Sequence, residues 1–353
     1  ACLLVFDGGL TTACPARRAG RGQSSIQTIQ SLRDRESDSM KTYVIRRVLQ
    51  LIPVLFGISV LIFAVMKMIP GDVISGILGV DATPELRAQL EEIYGLNRPY
   101  VVQYLDWIGG VLHGDFGESI RTAEPILPQI LTRFQVTAEL TILAAIISWF
   151  IAIPLGILAA VKRNSLADRF VRVFALLGVS VPNFALSILL ILFLSLAFGY
   201  FSPLGYVSFF EDPLRNLQIM ILPASILGVS IAGSVMRMTR SSVLEVLRQD
   251  FVKTVRAKGA SERVAIFKHV LRNALIPILT LVGMQIGTLL GGAVIVEQIF
   301  SLPGLGQMTL TGINQRDYPV VQGCVLFIAF VYVLVNLITD LLYTWVDPRI
   351  SYD

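Results

Sequence analysis

Few ionisable side chains lie in or beside the apolar stretches of this chain, and these are the residues most able to do chemistry there. They are Lys67, Glu139, Glu297 and Asp340. A charge in the bilayer centre is costly and usually marks an ion path or a proton relay. All four lie near the predicted ends of apolar runs, where snorkelling or interfacial water suffices, so we interpret them as structural. Glu297 is the one to test, because it opens the stretch EQIFSLPGLG, which also contains Pro303 and Gly304.

The sequence motifs of ATP hydrolysis and metal catalysis are absent. There is no G-x-x-x-x-G-K-[ST] loop for nucleotide phosphates, no H-E-x-x-H pair and no C-x-x-C pair. His113 and His269 are far apart, and the three cysteines suggest no disulfide framework. We therefore expect no catalytic residue, cofactor or metal in this chain.

Composition places the chain among membrane proteins. Hydrophobic residues make up 54% of it and charged residues 15%, against about a quarter charged in soluble domains. Six runs approach or exceed the roughly 20 residues that span a bilayer. They are residues 48–66, 140–161, 173–201, 217–236, 274–296 and 318–339. Because a spanning segment must satisfy its own backbone, the sequence predicts an all-α membrane protein with six transmembrane helices.

The distribution of charge predicts the orientation. Residues 70–138 hold nine acidic residues against four arginines. Basic residues precede the first run and fill the connections between the second and third runs and between the fourth and fifth. By the positive-inside rule, both termini are then cytoplasmic.

The region 70–138 is predicted to form a small helical subdomain on the external side. Thr83 and Pro84 predict a helix start, and the helix 84–94 should stop at Gly95. A second helix is predicted over residues 100–112, with Tyr104 and Trp107 at the membrane interface.

The prolines inside the runs either kink them or are ordinary membrane-helix prolines. They are Pro53, Pro154, Pro182, Pro223 and Pro277.

Residues 1–39 differ from everything that follows. They are rich in Ser, Arg, Gly and Thr, and their one apolar patch, residues 3–6, is too short for a signal-peptide core. We interpret residues 1–39 as a disordered extension and Met40 as the natural start of a membrane domain over 40–353.

The connection 245–272 is the most unusual part of the chain. Within residues 250–268, apolar side chains recur at near-helical spacing at Phe251, Val252, Val255 and Val264. Basic side chains lie elsewhere, at Lys253, Arg256, Lys258 and Arg263. Such a helix could bury its apolar side in a partner's groove or rest on anionic lipid, and physical reasoning leaves both open. Gly259 should break the helix, so that Ser261 and Glu262 open a second turn.

Residues 251–259 read FVKTVRAKG and residues 271–277 read LRNALIP. They resemble the cytoplasmic coupling loop of permeases in the peptide/nickel family of ABC importers, with its pattern [YF]V[RK]TARAKG followed by LRNALIP. Lys253-Thr254-Val255 replaces the Glu-Ala-Ala triplet of the broader permease loop, which is typical of the peptide branch. Stretches within 94–117, 297–323 and 340–349 resemble the family's external loops and C terminus, so the likeness covers essentially residues 40–353.

The resemblance implies a permease that forms half of a heterodimeric pore in the cytoplasmic membrane of a bacterium or archaeon. It implies a homologous second permease, two cytoplasmic subunits that bind ATP and Mg²⁺, and an extracytoplasmic binding protein that delivers di- or oligopeptides. The residues expected to contact the ATPases are Phe251, Val252, Val255, Arg256, Lys258, Gly259, Ser261 and Glu262.

Gly283, Gly287 and Gly291 lie at four-residue spacing on the fifth predicted helix, which permits close helix packing. They could pack within this chain or against the partner permease.

Among rival functions, an ion-coupled transporter would need buried carboxylates or broken helices in inverted repeats, and the charge-free middle runs oppose it. An intramembrane enzyme would need a nucleophile with its base, or a metal triad, inside the runs. Nickel chelate or glutathione stays open as cargo.

Overall fold

The computed structural model describes residues 21–68, 83–201, 203 and 205–346. Those residues are helical apart from their connections, and one isolated extended bridge pairs Glu118 with Pro125 among them. The chain divides into two units, residues 1–50 and the chain from Leu51 onward. The packed helical bundle belongs to the second unit.

Helices account for nearly every described segment. They are α1 (Arg21–Met68), α2 (Pro84–Ile93), α3 (Tyr100–Leu112), α4 (Ile126–Val161), α5 (Leu166–Ser180), α6 (Asn183–Phe198), α7 (Pro213–Leu247), α8 (Asp250–Ala257), α9 (Glu262–Val264), α10 (Leu271–Ile299), α11 (Leu305–Gln315) and α12 (Tyr318–Val346). A π-helical segment, Ala265–Val270, joins α9 to α10, so that Glu262–Ile299 runs as one span.

Five spans in the described part are long and apolar enough to cross a bilayer, and a bent pair of helices is a sixth candidate. The five are Ile45–Met68, Ile126–Val161, Pro213–Leu247, Glu262–Ile299 and Tyr318–Leu341. The predicted all-α membrane fold is confirmed, and the structure reaches six spans when the bent pair counts as one.

The prediction of a single helix over residues 173–201 is wrong. The chain instead forms α5 and α6, which bend by 106° where Val181 and Pro182 separate them. Proline disfavours the helical conformation of the residue before it, and Val181 is accordingly extended, with φ −87° and ψ 121°. Asn183 then begins the next helix.

The second span also begins earlier than predicted. Helix α4 starts at Ile126 rather than at residue 140, so the last part of the predicted external subdomain 70–138 is continuous with the span. The apolar run in this stretch is interrupted by Gln129, Arg133 and Glu139, so the hydropathy pattern did not indicate a helix there. Residues 69–82 of the same subdomain lie outside the described part.

The two short helices predicted between the first and second spans are confirmed. The Leu86 amide donates to Thr83 Oγ1 over 3.4 Å, and Gly95 adopts a φ of +63° after the end of α2. Helix α3 packs against α1, where the Tyr104 hydroxyl lies 2.8 Å from Ser59 Oγ. Trp107 stacks on Phe63 with ring centroids 6.2 Å apart. The predicted interfacial residues are therefore also the contacts that hold α3 to the first span.

Helix α1 begins at Arg21, within the stretch 1–39 that the sequence analysis interprets as an extension, and that interpretation stays a prediction. No glycine or proline occurs between Gly22 and Pro53, so nothing in the local sequence stops a helix once it has begun. Residues 1–20 lie outside the described part.

Helix α7 is the most buried of the spans. In the most apolar stretch of α7, 67% is buried inside the protein, whereas the corresponding stretch of Ile45–Met68 is 11% buried. Glycines let the neighbouring helices approach it: a Cβ on Gly228 would lie 2.8 Å from the Ala144 carbonyl of α4. A Cβ on Gly178 of α5 would lie 3.0 Å from the Val229 carbonyl. These contacts make α7 the element against which α4 and α5 are positioned.

Candidate functional site

The predicted coupling segment is a helix, a tight turn and a second helix. Helix α8 ends in a Schellman motif, in which the Ala260 amide donates to the Val255 carbonyl over 3.4 Å and the Gly259 amide to the Arg256 carbonyl over 3.0 Å. Gly259 has a φ of +84°, in the left-handed region that favours glycine. Ser261 is the N-cap of the next helix, which Glu262 opens, so the predicted break is present.

The inner face of this segment belongs to the chain's own core. Val252 is 0% exposed and packs in a cluster with Val243 and Val246 of α7 and with Ile266 and Val270 beyond the break. Phe251 packs at the edge of the same cluster. Val252 therefore holds the segment between the two spans and cannot face a partner, whereas the sequence had grouped it with the contact residues.

The outer face is basic and exposed. Arg256 and Glu262 form a two-bonded ion pair across the Gly259 turn, at 3.0 Å from Nε and 2.6 Å from Nη2. An ion pair between exposed side chains contributes little stability, so the turn at Gly259 and the buried cluster, rather than this pair, set the geometry of the segment. The other exposed residues on this face include Lys253, Lys258, Ser261 and Arg263. Val255 is half-buried beside them.

A buried ion pair that the sequence analysis missed connects the first turn of α5 to α7. Asp168 is 0% exposed and accepts hydrogen bonds from Arg240 Nε at 2.7 Å and Nη2 at 3.1 Å. It also accepts from the Asn164 amide at 3.0 Å, and its own amide donates to the N-cap Ser165. The Ser-x-x-Asp spacing was a readable helix-start signal. The partner Arg240, 72 positions away, carried no local signal.

Glu297 is built into the fold. It is 0% exposed, so neither snorkelling nor interfacial water accounts for it, contrary to the sequence interpretation. The Thr137 hydroxyl donates to Oε1 at 2.6 Å, and the Gln307 amide donates to Oε2 at 3.0 Å. Thr137 Oγ1 in turn accepts from the Leu305 amide at 2.9 Å. The carboxyl group therefore satisfies the N-terminus of α11, next to Pro303 and the N-cap residue Gly304.

The other ionisable residues near the spans also have partners. Lys67 Nζ donates to Gln103 Oε1 over 2.5 Å, and the Tyr206 hydroxyl donates to Glu139 Oε2 over 2.8 Å. Burial, together with this hydrogen bond, raises the pKa of Tyr206 to about 12, so its phenol stays protonated at neutral pH. Asp340 also interacts within the chain.

A second missed contact joins the loop before α4 to the loop before α12. The Ser119 hydroxyl donates to Asp317 Oδ2 over 2.5 Å, and the Ile120 amide donates to Oδ1 over 3.3 Å. Both side chains are almost fully buried. Asp317 lies in the stretch RDYPVVQG, one of the stretches that resemble the permease family. In this structure the stretch contains a buried hydrogen-bonded contact between two loops.

The three glycines of the fifth predicted helix face different surroundings. A Cβ on Gly283 would clash with the Thr339 side chain, and one on Gly287 with the Tyr332 ring, both on α12. Gly291 has nothing within 4 Å of the place a Cβ would take, and it is exposed. The first two glycines pack within this chain, and the third does not.

Comparison with known proteins identifies the family. Residues 152–352 match the family described as binding-protein-dependent transport system inner membrane component. The chain belongs to this family. Residues 40–141 match the N-terminal region of such membrane components.

Relatives of this permease cover nearly its whole length. It is 43% identical to the dipeptide transport system permease protein DppB of Alkalihalophilus pseudofirmus, over 89% of this chain and 100% of the relative. It is 42% identical to DppB of Escherichia coli strain K12, over 89% of this chain and 99% of the relative.

A solved structure shares the fold of this permease. A chain of the inward-facing MetNI methionine ABC transporter superposes with a TM-score of 0.51 at 20% identity, over 64% of this chain and 100% of that chain. The protein is thus a multi-pass membrane permease of the ABC-importer class, a component that works with other subunits.

Proposed function

We propose that this chain is one permease subunit of an ATP-driven importer that moves di- and oligopeptides across the cytoplasmic membrane of a bacterium or archaeon. Its identity of 42% to a dipeptide permease along nearly the full length of both chains carries the proposal for the cargo. Near-complete coverage matters, because it includes the external loops and the coupling segment as well as the spans.

The coupling segment supports ATP-driven action through separate subunits. Its basic outer face is anchored to two spans by Val252 and shaped by the turn at Gly259, so a push on it moves α7 and α10 together. A rigid element attached to two helices is what a coupling mechanism requires. We infer that two cytoplasmic ATPase subunits bind ATP and Mg²⁺, and that this chain binds no cofactor itself.

The remaining partners follow from the same family. A homologous second permease completes the pore, and an extracytoplasmic binding protein delivers the cargo to the external loops. Both termini of this chain are then cytoplasmic, as the distribution of basic residues indicates. The coupling contact is formed by the exposed Arg256, Lys258, Ser261 and Glu262 with half-buried Phe251 and Val255, around Gly259.

The buried carboxyl groups argue against ion coupling. Asp168 and Glu297 each engage residues of their own chain, Arg240 and Thr137 respectively, and serve as structural ties. The bend at Pro182 is a broken helix of the kind that ion-coupled transporters use. The cavity at that bend has an uncharged lining, so it offers no carboxylate to a proton or a sodium ion.

Two measurements test the proposal. The complex, purified from its native membrane in mild detergent, should contain a second permease and two ATPases, identified by mass spectrometry. In proteoliposomes, uptake of a labelled dipeptide should require the binding protein outside and ATP inside. Competition by unlabelled glutathione or nickel chelate, without competition by dipeptides, would reassign the cargo. A chain that purifies alone and transports without ATP would overturn the proposal.

A further inference from the structure

A cavity of about 280 Å³ lies at the bend between α5 and α6. Val181 and Pro182 form one wall, and α7 and α10 supply the others. Val179 and Pro182 are exposed, so the cavity opens at the surface of this chain. Its volume is slightly below the roughly 300–1,000 Å³ that ligand pockets have, which suits part of a cargo rather than a whole peptide.

Two polar residues of this cavity lie near the middle of long apolar helices. Ser230 is midway along Pro213–Leu247, and Gln285 is midway along Leu271–Ile299. Asn183 and Ser234 complete the polar lining. Within a membrane-spanning region, irregular backbone is tolerated where it is buried in protein or lines a hydrated cavity. A helix break and a polar lining therefore coincide where the spans are otherwise apolar.

The lining can hydrogen-bond and carries no charge. Within the described part of the chain, the side chains of Asn183, Ser234 and Gln285 form no hydrogen bond, whereas the Ser230 hydroxyl donates to the Leu227 carbonyl over 2.8 Å. Side-chain amides and hydroxyls away from bulk water cost free energy unless they find partners. The side-chain amides of Asn183 and Gln285 each have hydrogen-bond donors and an acceptor, so they match a ligand group that has both a donor and an acceptor.

Close packing fixes the walls. A Cβ on Gly233 of α7 would clash with the Ala175 carbonyl of α5, and Gly178 lies against the Val229 carbonyl. On the far side, Asn183 Nδ2 lies 3.9 Å from the position a Cβ would take on Gly292 of α10. The bend therefore lies between two helices: its contacts with α7 leave no room for larger side chains, whereas Asn183 and Gly292 are at ordinary van der Waals distance.

We propose that this cavity is a contact point on the translocation path, where the amides of Asn183 and Gln285 and the Ser234 hydroxyl hydrogen-bond a peptide group of the cargo in transit. The inference rests on the proposed function for the existence of a peptide cargo. The cavity's uncharged donors and acceptors suit the peptide bond, which every di- or oligopeptide carries whatever its side chains. It would therefore hold cargo without selecting its sequence.

The test uses the full complex in proteoliposomes, with Gln285→Met, which removes the amide at similar size, and Ser234→Ala. Ser225→Ala is the matched control, because its hydroxyl bonds the Ile221 carbonyl and lies outside the cavity. Alanyl-alanine is compared with its ester analogue alanyl-lactate, each loaded on the binding protein. We expect wild type and the control to favour the amide, and each cavity variant to lose about five- to tenfold in uptake.

Gln285→Met should also lose the preference for amide over ester, which a merely structural role would not change. ATP hydrolysis stimulated by the loaded binding protein should persist in both variants. Unchanged uptake and unchanged preference in both variants would overturn the inference and leave the proposed function intact. Absence of ATP-driven dipeptide uptake by wild type would instead overturn the proposed function and this inference with it. Ser234→Ala deletes one hydroxyl, so it decides the question if Gln285→Met fails to assemble.

Discussion

The carboxyl group of Glu297 occupies the space that a side chain on Gly304 would need. A Cβ at Gly304 would overlap the Glu297 carboxyl group, and one at Gly306 would lie 2.8 Å from Oε2 and 2.6 Å from the Val294 Cα. The two glycines in SLPGLG are therefore required by a buried side chain, and this requirement ties the end of α10 to the start of α11.

Glu297→Ala should destabilise the protein strongly. It leaves the Thr137 hydroxyl and the Gln307 amide without their acceptor, at a cost of about 1–3 kcal/mol for each buried group. Glu297→Gln keeps a carbonyl oxygen for one of these bonds and should cost less. The midpoint of thermal unfolding of the detergent-solubilised complex measures both, with the exposed neighbour variant Gln298→Ala as control. An unchanged midpoint in Glu297→Ala would show that the carboxyl group contributes nothing to holding α11.

The same argument applies to Asp168 and Arg240. Removing one member of a buried, hydrogen-bonded ion pair costs about 3–5 kcal/mol, so Asp168→Ala should lower the unfolding midpoint markedly. Arg240→Lys should also lower it, since lysine cannot reproduce the two-bonded geometry. Arg172 is the control: its side chain is 52% exposed and lies 3.5 Å from Asp168, so Arg172→Ala should change little. Equal losses in Arg172→Ala and Arg240→Lys would contradict this assignment.

Sequence predicts here what is local and misses what joins distant parts. Helix α2 was predicted almost to the residue because Thr83, Pro84 and Gly95 act on their immediate neighbours, and the predicted bounds of α3 also match the structure. The break at Gly259 was predicted for the same reason. Glu297 and Thr137 are 160 positions apart, and no periodicity or hydropathy pattern connects them.

Prolines show a similar limit. Pro53, Pro154, Pro223 and Pro277 lie inside continuous helices, whereas Pro182 separates two. Each of these prolines lacks the amide hydrogen of one backbone hydrogen bond, so the sequence alone does not distinguish Pro182 from the others. At Pro182 the bend lies against α7 and α10, and those contacts are not encoded near the proline.

Gly259→Pro should uncouple ATP hydrolysis from transport while leaving the chain in the membrane. Proline requires a φ near −65°, and the Gly259 amide donates a hydrogen bond that proline lacks, so the turn at +84° cannot form. Gly259→Asn is the matched control, because asparagine tolerates the left-handed region. ATPase activity and dipeptide uptake are measured on the same proteoliposomes. Normal dipeptide uptake by Gly259→Pro would show that the turn at Gly259 is not needed for coupling, contrary to this prediction.

Gly283 and Gly291 offer a comparison on one helix between packing within this chain and contact with another. Gly283→Ala forces a methyl group into Thr339, so it should separate α10 from α12 and lower the unfolding midpoint; overpacking a tight core contact costs about 1–3 kcal/mol. Gly291→Ala places the same methyl group in open space and should leave the midpoint unchanged or slightly raised, since alanine favours helix. Each variant is measured for unfolding midpoint and for the amount of second permease that co-purifies. Loss of the second permease in Gly291→Ala at an unchanged midpoint would assign this position to the permease interface. A lowered midpoint in Gly291→Ala with a normal one in Gly283→Ala would reverse the packing described for α10.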